Sequence, residues 1–221
     1  PQLTTRAVVQ GGPYPLHVLA GKGYAVFCPN PRGSGGFGLA FRRANVKDWG
    51  GGDFGDINAG IEMLIEKGIA DKDRLGIMGW SYGGFMTGWA ITNSNRFKAA
   101  SAGAGVYNLV SMYGTTDIQK FMERYFGGDP WRAAKVYAKH SSINLAAGVV
   151  TPTLIQHGEA DLRVPISQSY EIYRALKKFG VPAEMAVYPR QAHLIAEPKL
   201  QADMMRRNVE WFGRFIKPNG G

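Results

Sequence analysis

The chain has 221 residues, 45% of them hydrophobic and 19% charged, which supplies the core of one domain and excludes a disordered chain. It has no run of 18 apolar residues and no secretory signal pattern, and its single cysteine, Cys28, cannot form an internal disulfide, so we expect a cytoplasmic protein without a membrane partner. The net charge of +9 comes from scattered basic pairs without a nucleic-acid-binding motif, so we expect no nucleic-acid partner.

Six short apolar runs, rich in β-branched residues, predict β-strands separated by longer helical patterns. The predicted strands are residues 6–10, 24–28, 75–80, 99–104, 153–157 and 183–188. Most of these runs are continuous rather than alternating, which is typical of strands that are covered on both faces.

Apolar residues at helical spacing predict helices over residues 57–65, 172–179 and 205–216. Residues 107–140 have the least regular pattern and are predicted to form helices or loops above the sheet. Strands that alternate with helices indicate crossover connections. The sequence therefore predicts an α/β fold with a mostly parallel sheet and helices on both faces.

The segment from Gly79 to Gly84 has the pattern G-x-S-x-G between a predicted strand and a predicted helix. In that context the serine occupies a tight, strained turn that projects its hydroxyl above the sheet. A side chain at Gly79 or at Gly83 is expected to collide with the neighbouring strand or helix. The backbone N–H of Tyr82 is expected to point to the site of an oxyanion, which the helix dipole would favour. Ser81 is therefore the predicted nucleophile.

Folds with this motif place an acid and then a histidine after the serine along the chain. His193 lies in the turn beyond the sixth predicted strand and is the predicted base. His157, at the end of the fifth strand, is the weaker candidate and is interpreted as a packed or capping residue. The loop after that strand supplies the acid, with Asp161 as the first choice and Glu159 as the alternative. The acid would hold the imidazole in the tautomer that accepts the serine proton.

Five segments, spread along nearly the whole chain, occur in an order that is typical of one protein family. They are Gly11-Gly12-Pro13, Asn30-Pro31-Arg32-Gly33-Ser34-Gly35-Gly36-Phe37-Gly38, Gly79-Trp80-Ser81-Tyr82-Gly83-Gly84, Gly158 to Pro165, and the His193 loop. Together they resemble the catalytic domain of the prolyl oligopeptidase family of serine peptidases, particularly its acylaminoacyl-peptidase and dipeptidyl-peptidase types. The resemblance implies an α/β-hydrolase fold that hydrolyses short peptides, or acyl esters and amides, through an acyl-enzyme.

The resemblance also implies the role of each residue in the reaction. Ser81 would be the nucleophile, Asp161 the acid and His193 the base. The backbone N–H groups of Tyr82 and Gly12 would form the oxyanion hole.

Substrate-binding residues follow from the same resemblance. Arg163 would contact a carbonyl group of the substrate chain, for which its fixed fork of donors is suited; the alternative is a surface ion pair. The primary specificity pocket would be lined by Val106 and Val164, with Leu109 and Met112 as further candidates.

The chain departs from the family pattern at three places. Gln10 stands where the family's H-G-G-P motif has histidine, and the connection over residues 14–23 is shorter than usual. No β-propeller precedes the domain, so we expect residues 1–221 to form a single α/β-hydrolase catalytic domain with an open site. We expect either self-association into a homo-oligomer or a substrate range broadened toward simple esters.

The sequence thus predicts a serine hydrolase that cleaves short peptides or acyl-amino acid amides and esters. We expect no metal and no cofactor, because neither a cluster of metal ligands nor a phosphate-binding glycine loop occurs. The family-like segment Asp48-Trp49-Gly50-Gly51, with Asp53, is interpreted as structural. The alternatives are a carboxylesterase acting on short-chain acyl esters and a non-catalytic binding domain that keeps the hydrolase fold.

Overall fold

The computed structural model of the chain describes residues 16–216, which contain one β-sheet of four strands. The strands are Leu75–Trp80 (β1), Phe97–Gly103 (β2), Thr153–Gly158 (β3) and Ala183–Tyr188 (β4). The α-helices are Leu16–Gly21 (α1), Leu39–Arg43 (α2), Gly52–Glu66 (α3), Tyr82–Asn93 (α4), Leu109–Thr115 (α5), Gln119–Phe126 (α6), Ala134–Lys139 (α7), Ser167–Lys178 (α8) and Pro198–Phe215 (α9). A 3₁₀ helix spans Ser142–Gly148.

The four strands are parallel, and their order across the sheet, β1-β2-β3-β4, is their order along the chain. Ser101 of β2 pairs with Met78 on one side and with Leu154 on the other. Parallel neighbours need crossover connections, and helices α4 and α8 lie in two of them. Because all strands run in one direction, the loops that follow β1, β3 and β4 meet at the same edge of the sheet.

Helices cover both faces of this sheet. On one face, Trp211 and Phe212 of α9 pack against Ala99 and Leu154. On the other face, Ile91 of α4 belongs to a buried cluster that also holds residues of β2, β3 and α8. Burial on both faces explains why the strands read as continuous apolar runs.

Helices α5, α6 and α7 lie over the carboxyl ends of the strands. Leu109 and Met122, from α5 and α6, line the same cavity as Ser81, which directly follows β1. Aromatic contacts join α6 to α7, where the ring centroids of Phe126 and Tyr137 are 5.0 Å apart. The prediction of helices above the sheet in residues 107–140 is confirmed.

Most of the predicted elements are present to within a few residues. The confirmed strands are 75–80, 99–104, 153–157 and 183–188, and the confirmed helices are 57–65, 172–179 and 205–216. The predicted strand at residues 6–10 lies outside the described residues. Among residues 16–216, no helix combines the length and the apolar character that crossing a bilayer requires.

The prediction of a strand at residues 24–28 is wrong, because the chain has no strand conformation there. The segment pairs with none of the described strands, and Val26 and Phe27 are 40% and 39% exposed. An apolar run forms a strand only where a neighbour completes its hydrogen bonds and covers its side chains. Here side chains hold the segment instead: the Tyr24 hydroxyl donates to the Ile216 carbonyl at 2.7 Å.

Candidate active site

Ser81 lies in a sharp turn between β1 and α4. Its backbone has φ 61° and ψ −116°, a left-handed conformation that is costly for a residue with a side chain. Two backbone hydrogen bonds of 2.9 Å hold the turn, from the Ser81 N–H to the Gly103 carbonyl and from the Phe85 N–H to the Ser81 carbonyl. The surrounding strand and helix therefore fix the residue in the strained turn that the motif predicts.

Glycine is required on both sides of this serine because the backbones approach closely. A Cβ atom on Gly79 would lie 2.6 Å from the Cα of Gly83. The expectation of a collision at Gly83 is wrong for the part of the chain that the structure describes, where a Cβ atom at that position would meet nothing within 4 Å. The second tight position is Gly84, where a Cβ atom would lie 2.7 Å from the Cα of Gly105, because α4 packs directly on the end of β2.

His193 lies in the loop between β4 and α9 and connects the serine to an acid. Its Nε2 atom is 2.8 Å from Ser81 Oγ, and its Nδ1 atom is 2.8 Å from Asp161 Oδ2. The indole N–H of Trp80 donates to the His193 carbonyl at 2.7 Å, which ties the loop to the end of β1. The imidazole is 24% exposed, so a substrate can reach it.

Asp161 follows β3, and its side chain is fully buried. Its Oδ1 atom accepts the backbone N–H groups of Arg163 and Val164, each at 2.9 Å, while Oδ2 faces His193. Burial alone would raise the pKa of Asp161, but hydrogen bonds from His157, His193 and the Val164 N–H hold it well below its ordinary value. The carboxylate is therefore an anion that accepts from the Nδ1–H of His193, which leaves Nε2 to accept from the serine.

The two alternatives for acid and base make other hydrogen bonds and none to Ser81 among the described residues. Glu159 accepts the backbone N–H of Arg190 at 3.1 Å. His157 is fully buried and contacts Ser169 and the Val164 carbonyl. The structure thus brings together Ser81, His193 and Asp161, the set preferred from the sequence.

Tyr82 is the first residue of α4, where backbone N–H groups point away from the helix and the dipole favours negative charge. Its side chain is held firmly: the hydroxyl donates to the buried Asp53 carboxylate and accepts from Asn45 at 3.2 Å. The pKa of Asp53 is raised, because burial outweighs the hydrogen bond from Tyr82. Gly12, the other predicted oxyanion donor, lies outside the described residues.

A largely apolar cavity of about 370 Å³ opens beside Ser81 and His193. Its remaining lining residues are Trp49, Tyr82, Val106, Leu109, Met112, Ile118, Phe121, Met122, Arg163 and Val164. All four residues predicted for the specificity pocket are among them. Apart from His193, Arg163 is the one ionisable side chain other than Tyr82 among the described residues of this lining.

Arg163 forms an ion pair in the structure. Its Nε atom donates to Asp117 Oδ1 at 2.6 Å, and its Nη2 atom lies 3.2 Å from Asp117 Oδ2. Both side chains are about half exposed, at 48% and 45%. The alternative of a surface ion pair is thus present, and the same guanidinium also lines the cavity.

Sequence reasoning missed part of the cavity wall. Asp48 has the structural role predicted for its segment, because its carboxylate accepts the N–H of Gly52 at the start of α3. Trp49, however, lines the cavity, and its ring lies 4.7 Å from that of Tyr82. Phe121 and Met122 of α6 were not predicted either, because residues 107–140 have no regular spacing of apolar residues that would indicate a buried face. Within residues 16–216, no group of three or more potential ligands could hold a metal ion.

Comparisons with known proteins point to one family. The family model described as "Prolyl oligopeptidase family" matches residues 14–219. The uncharacterized peptidase YuxL of Bacillus subtilis (strain 168) is 35% identical over 222 residues, covering 94% of this chain and 34% of that protein. The acylamino-acid-releasing enzyme of Arabidopsis thaliana is 33% identical over 233 residues, covering 96% of this chain and 30% of that protein.

Solved structures give the same result. Pyrococcus horikoshii acylaminoacyl peptidase matches with a TM-score of 0.80 and 34% identity over 87% of this chain and 32% of that chain. This chain thus spans about a third of the length of the relatives it matches. The parallel sheet with helices on both faces is the α/β-hydrolase fold, as predicted. By its match to the family model, by its sequence identity and by its fold, the chain belongs to the prolyl oligopeptidase family.

Proposed function

We propose that this chain is a serine peptidase that cleaves short peptides and acyl-amino acid amides through an acyl-enzyme. The observation that carries the proposal is the hydrogen-bonded row from Ser81 Oγ through His193 to Asp161, with both links at 2.8 Å. The apolar cavity beside it provides room for a substrate side chain. Membership of the family and the names of its relatives favour amide bonds over other acyl bonds.

The proposed reaction begins with attack of Ser81 Oγ on the acyl carbonyl carbon, as His193 Nε2 takes the serine proton. The carbonyl oxygen becomes an oxyanion, which the N–H of Tyr82 at the start of α4 and the N–H of Gly12 would stabilise. His193 then gives the proton to the leaving amine, and the C–N bond breaks. Water attacks the acyl-enzyme by the same route and releases the acid. Asp161 stays ionised and stabilises the imidazolium in both steps.

We propose that the residue before the cleaved bond is apolar and medium to large. Val106, Leu109 and Met122 present aliphatic and thioether surface to the cavity, so burying a Phe, Leu or Met side chain there removes apolar area from water. A Lys side chain would lose its hydration without a described partner of opposite charge in the wall. Arg163 at the cavity is proposed to donate to a carbonyl group of the substrate chain.

The first test is a matched panel of p-nitroanilides with Phe, Leu, Ala or Lys before the anilide, each with a free and an acetylated amino group. Short-chain p-nitrophenyl esters run beside them, and the Ser81→Ala variant is the control. Anilide cleavage that needs Ser81 supports the peptidase. Ester cleavage alone would make the chain a carboxylesterase. No turnover and no labelling by a fluorophosphonate would instead indicate a non-catalytic domain.

We also propose that residues 1–221 form one catalytic domain, and that either copies associate with one another or the substrate range is broadened toward simple esters. The support for association is that Val26 and Phe27 are exposed apolar residues and that β1 ends the sheet of described strands. Multi-angle light scattering of the purified chain measures this directly, and a monomer at micromolar concentration contradicts it.

A further inference from the structure

A second histidine, fully buried, contacts the proposed acid of the site. His157 lies in β3 and is fully buried. Its Nδ1 atom is 2.6 Å from Ser169 Oγ on α8, and its Nε2 atom is 2.7 Å from the Val164 carbonyl oxygen. The same Nε2 atom is 3.3 Å from Asp161 Oδ2. The reaction scheme above does not use this ring.

The contacts fix the tautomer of His157. The Val164 carbonyl oxygen and the Asp161 carboxylate can only accept hydrogen bonds, so Nε2 must carry a proton. The Ser169 hydroxyl can donate to Nδ1. A neutral ring with its single proton on Nε2 therefore satisfies every contact, and that proton is shared between a carbonyl group and the acid.

The carboxylate of Asp161 thus faces four nitrogen atoms, three of them in hydrogen bonds and the fourth, His157 Nε2, as a longer contact. Oδ1 accepts two backbone N–H groups at 2.9 Å, and Oδ2 faces His193 at 2.8 Å and His157 at 3.3 Å. Four donors are about what the lone pairs of one carboxylate accept. Two imidazoles on one oxygen atom leave the carboxylate little freedom to rotate away from His193.

We propose that His157 is a positioning residue for the reaction: its Nε2–H holds Oδ2 of Asp161 in line with His193 and draws electron density away from the His193 side of that oxygen. The inference rests on the proposed function, because it acts through the proposed acid.

Two effects follow if the Nε2–H is removed. The carboxylate can turn, so the base spends less time aligned with Ser81 and kcat falls. Oδ2 also directs its full charge at His193, which stabilises the imidazolium, so the acid limb of kcat/KM moves to higher pH. The other charged groups near Asp161 are Arg163 and Asp117, which form an ion pair with each other and are unchanged by the substitution.

The test compares His157→Leu, which fills similar space without a donor, with His157→Gln, whose amide N–H can take the place of Nε2–H. We expect His157→Leu to lower kcat on an N-acetyl-Phe p-nitroanilide by about tenfold to a hundredfold, with little change in KM. Its acid limb should move to higher pH. His157→Gln should restore the acid limb and most of kcat.

Ser169→Ala is the matched control, because it removes the hydrogen bond on the other side of the same ring and leaves the contact with Asp161. We expect it to lower stability in urea but to change kcat less than about threefold. If Ser169→Ala and His157→Leu lower kcat equally and leave the acid limb in place, His157 has a packing role only and the proposal is wrong.

A measurement on the wild-type chain does not depend on any variant being active. The sequence has four histidines, so ¹⁵N labelling of histidine gives a small set of ring signals. The signal of His157 is the one that is missing from the His157→Gln spectrum or shifted by Ser169→Ala. We expect that ring to carry its proton on Nε2. A proton on Nδ1 alone overturns the proposal. Because the tautomer is read without substrate, this result is distinct from a failure of the proposed peptidase activity.

Discussion

Gly158, the last residue of β3, lies against the backbone of Ala192 in the loop that carries His193. A Cβ atom at position 158 would collide with the Ala192 carbonyl oxygen and would lie 2.5 Å from that of Gln191. The end of β3 and the histidine loop thus approach each other so closely that only glycine fits between them. This contact fixes the distance between the strand that leads to Asp161 and the loop that holds the base.

Gly158→Ala should therefore push the histidine loop away from the site. We expect kcat/KM to fall by about a hundredfold, because misplacing a reacting group by about 1 Å has effects of that size. Urea unfolding should show a loss of roughly 1–3 kcal/mol from overpacking. The control is Gly55→Ala in α3, where a Cβ atom meets nothing within 4 Å. A fully active Gly158→Ala variant would contradict the close contact.

Substitutions in the hydrogen-bonded row should separate the roles of its members. Ser81→Ala or His193→Ala should lower kcat by about 10⁵- to 10⁶-fold while the fold is retained. Asp161→Asn should cost on the order of 10⁴-fold, because the amide favours the wrong tautomer of the base. Steady-state kinetics measures each, with circular dichroism as the check on folding. If Glu159→Gln were as damaging as Asp161→Asn, the assignment of the acid would be wrong.

The lowered pKa of Asp161 makes stability depend on pH. Because the pKa is lower in the folded chain than its ordinary value of 3.8, the carboxylate stabilises the fold above that value. The contribution is lost as the pH falls through that value toward the lower folded pKa. In urea unfolding, the difference in free energy between wild type and Asp161→Asn should be large at about pH 7 and smaller at about pH 3. An equal difference at both pH values would contradict the shift.

Arg163→Ala should distinguish long substrates from short ones. If the guanidinium donates to a carbonyl of the peptide chain, its loss should lower kcat/KM on peptide anilides by about tenfold to a hundredfold, as for hydrogen bonds to charged groups. p-Nitrophenyl acetate has no such carbonyl and should be little affected. Arg190→Ala is the control, since Arg190 is also exposed and paired, with Glu197. Equal losses on both substrate classes would indicate that Arg163 acts only through Asp117.

Met122→Phe should narrow the cavity from the α6 side. Met122 is 2% exposed and lines the cavity, so a bulkier ring there competes with the substrate side chain. We expect kcat/KM to fall by about tenfold or more on the Phe anilide and much less on the Ala anilide. Met63→Phe, at an exposed position of α3, is the control. A uniform loss on both anilides would show that the substitution disturbs the fold rather than the pocket.

The three residues of the hydrogen-bonded row could be predicted because their signals are local. The G-x-S-x-G pattern predicts the geometry of the turn that holds the serine. Asp161 and His193 each follow a strand whose sequence is a continuous apolar run. The chain order of acid and base then leaves few candidates. The same local reasoning failed at residues 24–28, where an apolar run has no neighbouring described strand to pair with.

Other features depend on contacts between distant segments, which composition and spacing do not reveal. Trp49 lines the cavity, and its backbone carbonyl contacts Nδ1 of His140, 91 residues later, at 2.7 Å. The contact between His157 and Asp161 depends on the conformation of the loop after β3. The sequence does not indicate that conformation, so His157 is interpreted from it only as a packed or capping residue. The tight position at Gly84 rather than Gly83 depends on the place where β2 ends beneath α4.

The order of the four strands along the chain determines when, during synthesis, the candidate active site is completed. Ser81 and the turn that holds it are made before the proposed base, which lies 112 residues later and follows the last strand of the described sheet. A growing or truncated chain that stops before residue 193 carries a serine with the reactivity of an ordinary alcohol. The proposed hydrolysis therefore requires a chain that is made and folded at least as far as His193, so a shorter nascent chain cannot cleave itself or its neighbours.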